Sequence, residues 1–467
     1  MAKKNELNLM EGSLLKAIIR LGYPMALASL VQTLYNMADA FWLGKLGREA
    51  LSAPIISFFL IFFIISIGLG FSISGTALVA QYTGAKERQK ANTSTGNLLL
   101  YLMLMSIVLG GFGVLFARPL LVLLKTPADT FQYTLDYYLI VMAGMPLTFP
   151  MFVFQSSMNG YGDTMTPLKI SLFAALLNMA MDPVLIFGWF GFPVMGVKGA
   201  AIMTVVSRGV ASAIGLYYFF SGKKGIKLRL ADLKPDISLS RLLAKIGIPA
   251  AVGFSGSSLG FIVLIGIVNQ FGTPVVSAYG IGTQVIHLFM LPAMGISAAV
   301  TAIVGQNIGA GQIERAKKAV TQGLYLMLWI VIPAVIIISL FGKQLTHFFI
   351  PGDIEVERIG AIMFYIIPPS VIFFGLASVL EGAFQGAGNT VPVMITQLAR
   401  LWVLRIPLVY LFANVLLNGP HDPDAAIGIW WGIVLSNGVS LLMLAVWFKK
   451  TDWTRPRIKK EILESSF

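Results

Sequence analysis

Residues 51–85 read LSAPIISFFLIFFIISIGLGFSISGTALVAQYTGA, and residues 276–310 read VSAYGIGTQVIHLFMLPAMGISAAVTAIVGQNIGA. Each contains an apolar run of about 20 residues or more, enough to cross a bilayer core of ~30 Å as a helix. The two stretches are also copies of one another. At a constant offset of 225 positions Ser52-Ala53 falls on Ser277-Ala278, Gly70 on Gly295, Thr76-Ala77 on Thr301-Ala302, Gln81 on Gln306 and Gly84-Ala85 on Gly309-Ala310. The register extends upstream to Pro24 and Pro249 and to Gly47 and Gly272 without a gap. Further along, NGYGDTMTP (159–167) answers QGAGNTVP (385–392), and GVKGAAIMT (196–204) answers GIWWGIVLS (428–436). Each half is therefore one copy of a six-span unit.

Extending the apolar reading gives twelve spans, at 14–41, 52–81, 93–117, 133–158, 167–190, 195–220, 242–269, 277–306, 319–342, 358–384, 391–416 and 425–448. The fold class is an all-α polytopic membrane protein. An even number of spans per copy gives both copies the same orientation, with the pseudo-twofold axis along the membrane normal, the arrangement of transporters that rock two bundles around a central site. Channels and membrane enzymes can also be duplicated. The expected organisation is a first lobe at 1–220, a basic linker at 221–240, a second lobe at 241–450 and a tail at 451–467.

Composition supports this. Hydrophobic residues make up 57% of the 467 and charged residues only 12%, about half the share of a water-soluble chain. The net charge of +13 would suit a nucleic-acid binder if the charges were clustered. They alternate between loops instead. Lys3, Lys4 and Lys16, then Lys86, Arg88 and Lys90, then Lys223, Lys224, Lys227, Arg229 and Lys234, then Arg315, Lys317 and Lys318, and finally the tail with Lys459 and Lys460, all fall on one side of a twelve-span chain. The positive-inside rule makes that side the cytoplasm, with both termini inside a plasma (inner) membrane, and leaves no reason to invoke nucleic acid. Cysteine is absent and histidine occurs three times, which excludes thiolate chemistry and leaves little for a metal cluster. The N-terminus lacks a small-residue cleavage site, so the first span is expected to stay in the mature protein.

An ionisable side chain at a helix centre in the bilayer costs at least ~2.5–3.5 kcal/mol, so each one needs a reason. In the first copy the clear cases are Asp39 and Asp182. Gln32, Tyr35, Asn36 and Asp39 recur at spacings of three and four, which predicts one polar face, and Asn178 stacks one turn from Asp182. Counting along the helices puts Asp39, Asp182 and Thr204 at similar depth. Two carboxylates, an amide and a hydroxyl are hard oxygen donors suited to Na⁺. Two close carboxylates in a low dielectric can equally hold one H⁺. Each Asp could alternatively be an interfacial residue bonded to a helix end. Pro24 and Pro249 interrupt the hydrogen bonding of the first helix of each copy and permit a bend, static or moving.

The second copy lacks the acidic pair: Leu264 stands at the place of Asp39, and Ile406 or a neighbour at that of Asp182. Its polar groups are His287, Glu381, Arg400 and Arg405, read as a structural cluster in which Glu381 and Arg400, at matched depth, form an ion pair. Glu381 aligns with Gln155. Arg208 has no assignable partner. No set of nucleophile, base and metal ligands emerges, so an enzyme is not expected. The glycines of NGYGDT and QGAGNT read as turns, since no strand or P-loop lysine accompanies them.

Taken together, P-x10-Y-N-x-x-D from Pro24 to Asp39, VAQYTGAKERQKA (79–91), QSSMNGYGDTMTP (155–167), N-x-x-x-D-P from Asn178 to Pro183, GAAIMT (199–204) and the recurrence of Q-x-x-G-A make the sequence resemble the multidrug and toxic compound extrusion (MATE) family from about Leu14 to Lys450. The resemblance implies twelve helices in two lobes and export of cationic or amphipathic compounds in exchange for Na⁺ or H⁺, with no other cofactor. It is strongest to the DinF-like branch. Carried over by position, it implies a cation site of Asp39, Asn178, Asp182 and Thr204, a hydrogen-bonding surround of Tyr35, Asn36 and Tyr137, a bend at Pro24, and a drug cavity lined by Gln32 and Gln155. The NorM-like branch uses second-lobe carboxylates where this chain has Gly253 to Ser258 and Phe373-Phe374. The expected partners are drug-like molecules and membrane lipids, with the protein a monomer. A lipid-linked precursor flippase would be expected to add two spans, and a passive channel would never accumulate its substrate uphill.

Overall fold

The computed structural model describes residues 9–417 and 419–458; Lys3, Lys4, Lys459 and Lys460 lie outside the described residues. The first copy forms α1 (Leu14–Gly44), α2 (Arg48–Gly84), α3 (Arg88–Leu115), the short α4 (Ala117–Leu123), α5 (Ala128–Ala143), α6 (Met145–Tyr161), α7 (Met165–Phe187) and α8 (Val197–Ser221). The second forms α9 (Ile237–Val268), α10 (Thr273–Gly309), α11 (Ile313–Leu340), the short α12 (Gly342–Phe349), α13 (Ile354–Ile366), α14 (Pro368–Gly386), α15 (Val391–Leu398), α16 (Ile406–Val409) and α17 (Ile427–Lys450). No strand occurs among the described residues. In hydrocarbon only helices or closed barrels satisfy every backbone polar group, so long apolar runs leave no other choice.

Ten of these helical stretches can each cross a membrane, and two further spans are bent pairs, α5 with α6 (55°) and α13 with α14 (44°), giving up to twelve. The expected spans 133–158 and 358–384 are thus broken at corresponding places of the two copies. Pro146 in one, and Pro368-Pro369 in the other, lack the N–H that would carry the helix ladder across the break. The span at 391–416 also departs from a plain α-helix. Ala399–Arg405 and Tyr410–Leu416 are π-helical, on either side of α16 and its Pro407.

The chain divides into two compact units. Among the described residues the first holds Pro24–Ala251 and residues 457–458, and the second residues 9–23 and Val252–Pro456. The divisions fall at Pro24 in α1 and two residues beyond Pro249 in α9. Each copy's first helix therefore gives its opening turns to the other copy's unit. Within the first unit, Gly70 of α2 meets the backbone of Ala251 so closely that an added Cβ would lie 2.2 Å away. Within the second, Gly22 meets the Gly295 carbonyl at the position that corresponds to Gly70, where a Cβ would come within 3.1 Å. Small residues at such crossings let membrane helices approach without a side chain between them.

The linker is anchored to the first unit. Asn97 on α3 donates to the carbonyls of Asp232 (3.2 Å) and Lys234 (3.1 Å) and accepts from the Asp236 amide (2.8 Å). The Asp232 carboxylate, 3% exposed, accepts from Gln89 and Thr93 of α3 and from the Arg229 amide. In the second unit the segment before α1 is held in a comparable way: Asn307 and Arg315 donate to the Leu9 carbonyl, and Arg315 also to those of Glu11 and Gly12. The two glycine turns lie at helix C-termini. Gly162 (φ 102°) closes α6 and Gly388 (φ 71°) follows α14, in the left-handed region glycine adopts without strain.

Candidate functional site

The polar stripe predicted on α1 divides into two rows. Tyr35 and Asp39 are buried, whereas Gln32 and Asn36 are exposed and bond to each other, Gln32 Nε2 donating to Asn36 Oδ1 at 3.0 Å. Positions four apart stack on one helix line, so 35 and 39 follow one line and 32 and 36 the next. Asn36 thus makes its hydrogen bond on the exposed row, with Gln32, and Tyr35 makes its own on the buried one. Gln155 is half-buried on α6.

Asp39, Asn178, Asp182 and Thr204 are all buried within the first unit. Asn178 Nδ2 donates to Asp182 Oδ1 at 3.0 Å, one turn along α7. The Tyr35 hydroxyl donates to Thr204 Oγ1 at 3.0 Å and links α1 to α8. Tyr137 of α5 is buried beside Thr204, Asp39 and Tyr35, and the two carboxylates lie within electrostatic reach of each other. Three side-chain oxygens are left buried with no hydrogen bond: Asp39 Oδ1, Asn178 Oδ1 and Asp182 Oδ2. Buried polar atoms are nearly always satisfied, so three orphan acceptors on neighbouring groups describe a place for a proton, a cation or water.

Sequence reasoning missed the basic member of this group. Arg208 of α8 lies over the Tyr35 ring, with its guanidinium carbon 5.7 Å from the ring centre, and its charge reaches Asp39. A cation over an aromatic face is attracted by the ring quadrupole. The sequence signal was a mid-span arginine; its partner, far away in the chain, left no periodic trace.

The second unit differs from expectation. Glu381 and Arg400 do not form an ion pair: Glu381 accepts from Gln397 Nε2 at 3.1 Å, and Arg400 lies over the Phe374 ring at 5.3 Å. Matched depth was not enough, because Gln397 is the residue that the turn of α15 presents to Glu381. His287 is exposed. Arg405 donates through Nε to Ser436 Oγ at 3.0 Å and through a terminal nitrogen to Asn437 Oδ1 at 2.5 Å. At the Gly253 to Ser258 stretch α9 packs tightly on α15, since a Cβ on Gly253 would sit 2.7 Å from Gln397 Oε1 and one on Gly256 2.3 Å from Leu398 Cδ2.

The MatE family model matches residues 24–184 and 249–411, one block in each copy. A probable multidrug resistance protein of Bacillus subtilis (strain 168), YoeA, is 28% identical over 436 residues, covering 91% of this chain and 93% of that protein. A probable multidrug resistance protein, NorM, of Thermotoga maritima is 28% identical over 451 residues, covering 95% and 96%. The crystal structure of MATE in complex with MaD5 superposes with a TM-score of 0.85 at 23% identity, over 95% of this chain and 97% of that one, which establishes a shared fold. With both copies matched and the twelve-helix architecture shared, the chain belongs to the MatE family of multidrug and toxic compound extrusion membrane transporters and is not an enzyme.

Proposed function

We propose that this protein exports cationic and amphipathic drug-like compounds by alternating access, driven by inward movement of H⁺ or Na⁺ through the first unit. The orphaned acceptors Asp39 Oδ1, Asn178 Oδ1 and Asp182 Oδ2 carry this reading, with the multidrug resistance names of its relatives in support. Either coupling ion would be held by the same groups, Na⁺ by these oxygens with Thr204 as a further donor, H⁺ by one of the two carboxylates. Asp39 sits on α1, the helix shared between the units at Pro24, so a change of charge at Asp39 acts directly on a helix that belongs to both. Gln155 would line the drug path. The DinF-like branch assignment, cytoplasmic termini and location in the plasma (inner) membrane belong to the same proposal, supported by the alternation of basic loops.

The test is uphill drug transport in proteoliposomes with an H⁺ or a Na⁺ gradient imposed alone. One gradient should drive accumulation in the wild type and neither in Asp39→Asn. Wild-type accumulation by that variant, or flux that only ever runs downhill, would remove the coupled antiporter reading.

A further inference from the structure

The two units carry opposite charge in their interiors. In the first, two carboxylates, Asp39 and Asp182, face one guanidinium, Arg208; in the second, two guanidiniums, Arg400 and Arg405, accompany one carboxylate, Glu381. The second set is incompletely satisfied. Arg400 is 8% exposed, yet among the described residues its guanidinium has no hydrogen bond and no carboxylate within ion-pair distance, and its Nε is fully buried without a partner. Its guanidinium lies over the Phe374 face, with the charges of Glu381 and Arg405 within electrostatic reach. Arg405 uses Nε and one terminal nitrogen on Ser436 and Asn437, and Asn437 is braced in turn by donating to the Ser370 carbonyl at 3.3 Å. A guanidinium has five N–H donors, so most of the donors of this pair have no acceptor from the chain itself.

The backbone brings the two arginines together. In an α-helix residues five apart point about 140° away from each other. From Ala399 to Arg405 the chain instead forms π turns, closed between residues i and i+5, which bring Arg400 and Arg405 nearer to one side of the segment. Such turns are costly and gather at functional sites. Arg400 lies nine residues into the span that opens at Val391, about 14 Å deep at 1.5 Å per residue, so bulk water is not at hand to solvate it.

We propose that the second unit binds an oxyanion, the carboxylate or phosphate of an amphipathic molecule, between Arg400 and Arg405, with Glu381 as the competing internal charge held aside by Gln397. The guanidinium fork matches two oxygens of such a group, and the Phe374 and Phe261 rings beneath the two arginines supply an apolar floor for its hydrocarbon part. The site is distinct from the acidic group of the first unit and of opposite polarity. It adds acidic and zwitterionic amphiphiles, or an anionic lipid headgroup, to what the protein accepts.

The test measures binding of octyl phosphate to the full-length protein in phosphatidylcholine nanodiscs by titration calorimetry, with octyltrimethylammonium as the charge-inverted control. Octyl phosphate should bind saturably, and Arg400→Gln should weaken it at least about tenfold, the loss of one charged hydrogen bond or more. Glu381→Gln should move affinity the other way, because it removes the competing carboxylate; this arm stands even if the arginine variant folds poorly. Nanodiscs containing phosphatidylglycerol separate the sources. If a headgroup fills the site they lower octyl phosphate affinity in the wild type and not in Arg400→Gln; if a solute does, they change nothing. Equal octyl phosphate affinity in wild type, Arg400→Gln and Glu381→Gln, or a loss on Arg400→Gln as large for the ammonium probe as for the phosphate, would overturn the proposal.

Discussion

The Tyr35 hydroxyl donates to Thr204 Oγ1 over 3.0 Å and joins α1 to α8 beside two buried carboxylates. Tyr35→Phe keeps the ring under Arg208 and removes only this bond, leaving a buried hydroxyl on Thr204 short of a donor. The expected cost is about 1–3 kcal/mol, seen as a lower Tm in detergent. A raised half-saturation for the coupling ion should accompany it, because Thr204 then turns away from the acidic pair. An unchanged Tm together with an unchanged ion dependence would show that the bond carries nothing.

If Na⁺ is the ion held by Asp39, Asn178 and Asp182, it binds the folded protein alone and must stabilise it. At a hundred times its Kd the gain is about 2.7 kcal/mol. Replacing choline with Na⁺ should then raise the wild-type Tm and leave Asp182→Asn flat, since that variant keeps the shape of the side chain and loses its charge. A proton-coupled protein gives no Na⁺ response in either, while Asp182→Asn still abolishes transport driven by an H⁺ gradient. An equal Na⁺ rise in wild type and variant would place any Na⁺ site elsewhere.

The linker offers a prediction away from the membrane interior. Asp232 accepts from Gln89, Thr93 and the Arg229 amide, so Asp232→Ala removes two bonds that tie the linker to α3 and one that holds its own turn. Trypsin should cut after Lys227 or Arg229 several-fold faster in the variant, because proteolysis follows local opening. Gel analysis of intact protein against time reads this directly. Cleavage at the wild-type rate would mean that Asn92 and Asn97 are enough to hold the segment.

Much of this architecture is legible in the order of residues. An apolar run of bilayer length has one outcome, and a register held at 225 positions through glycines and prolines gives the duplication. Asp39, Asn178 and Asp182 stand out in the sequence because a charge or an amide in a span is expensive, and the expense marks them whatever the packing. What hydropathy cannot resolve is azimuth and partner. Gln32 and Asn36 share a face with Tyr35 on paper yet are exposed where Tyr35 is buried, and His287 lies within a span but is exposed. Arg208 on Tyr35, and Gln397 taking Glu381 away from Arg400, depend on contacts between distant residues. The division of α1 and α9 between units is equally hidden, since the repeat reveals which residues correspond and not what they pack against. Ser436 and Asn437 did carry a signal, as polar residues in an apolar span, that was not connected to Arg405.

The duplication makes a last prediction that compares the two copies directly. Gly160 on α6 and Gly386 on α14 occupy corresponding places, and a Cβ on either would meet the corresponding backbone oxygen, Thr76 O at 2.5 Å and Thr301 O at 2.4 Å. Both obstacles are backbone, which cannot swing aside as a side chain can, so the helices must separate. Overpacking of this kind costs about 1–3 kcal/mol. Gly160→Ala and Gly386→Ala should each lower the Tm by a similar amount, and the double variant by nearly the sum, because the sites lie in different units and share no partner. Thermal unfolding of the four proteins in one detergent tests this. A large drop in one variant with none in the other would show that the copies have ceased to be equivalent in packing as well as in charge.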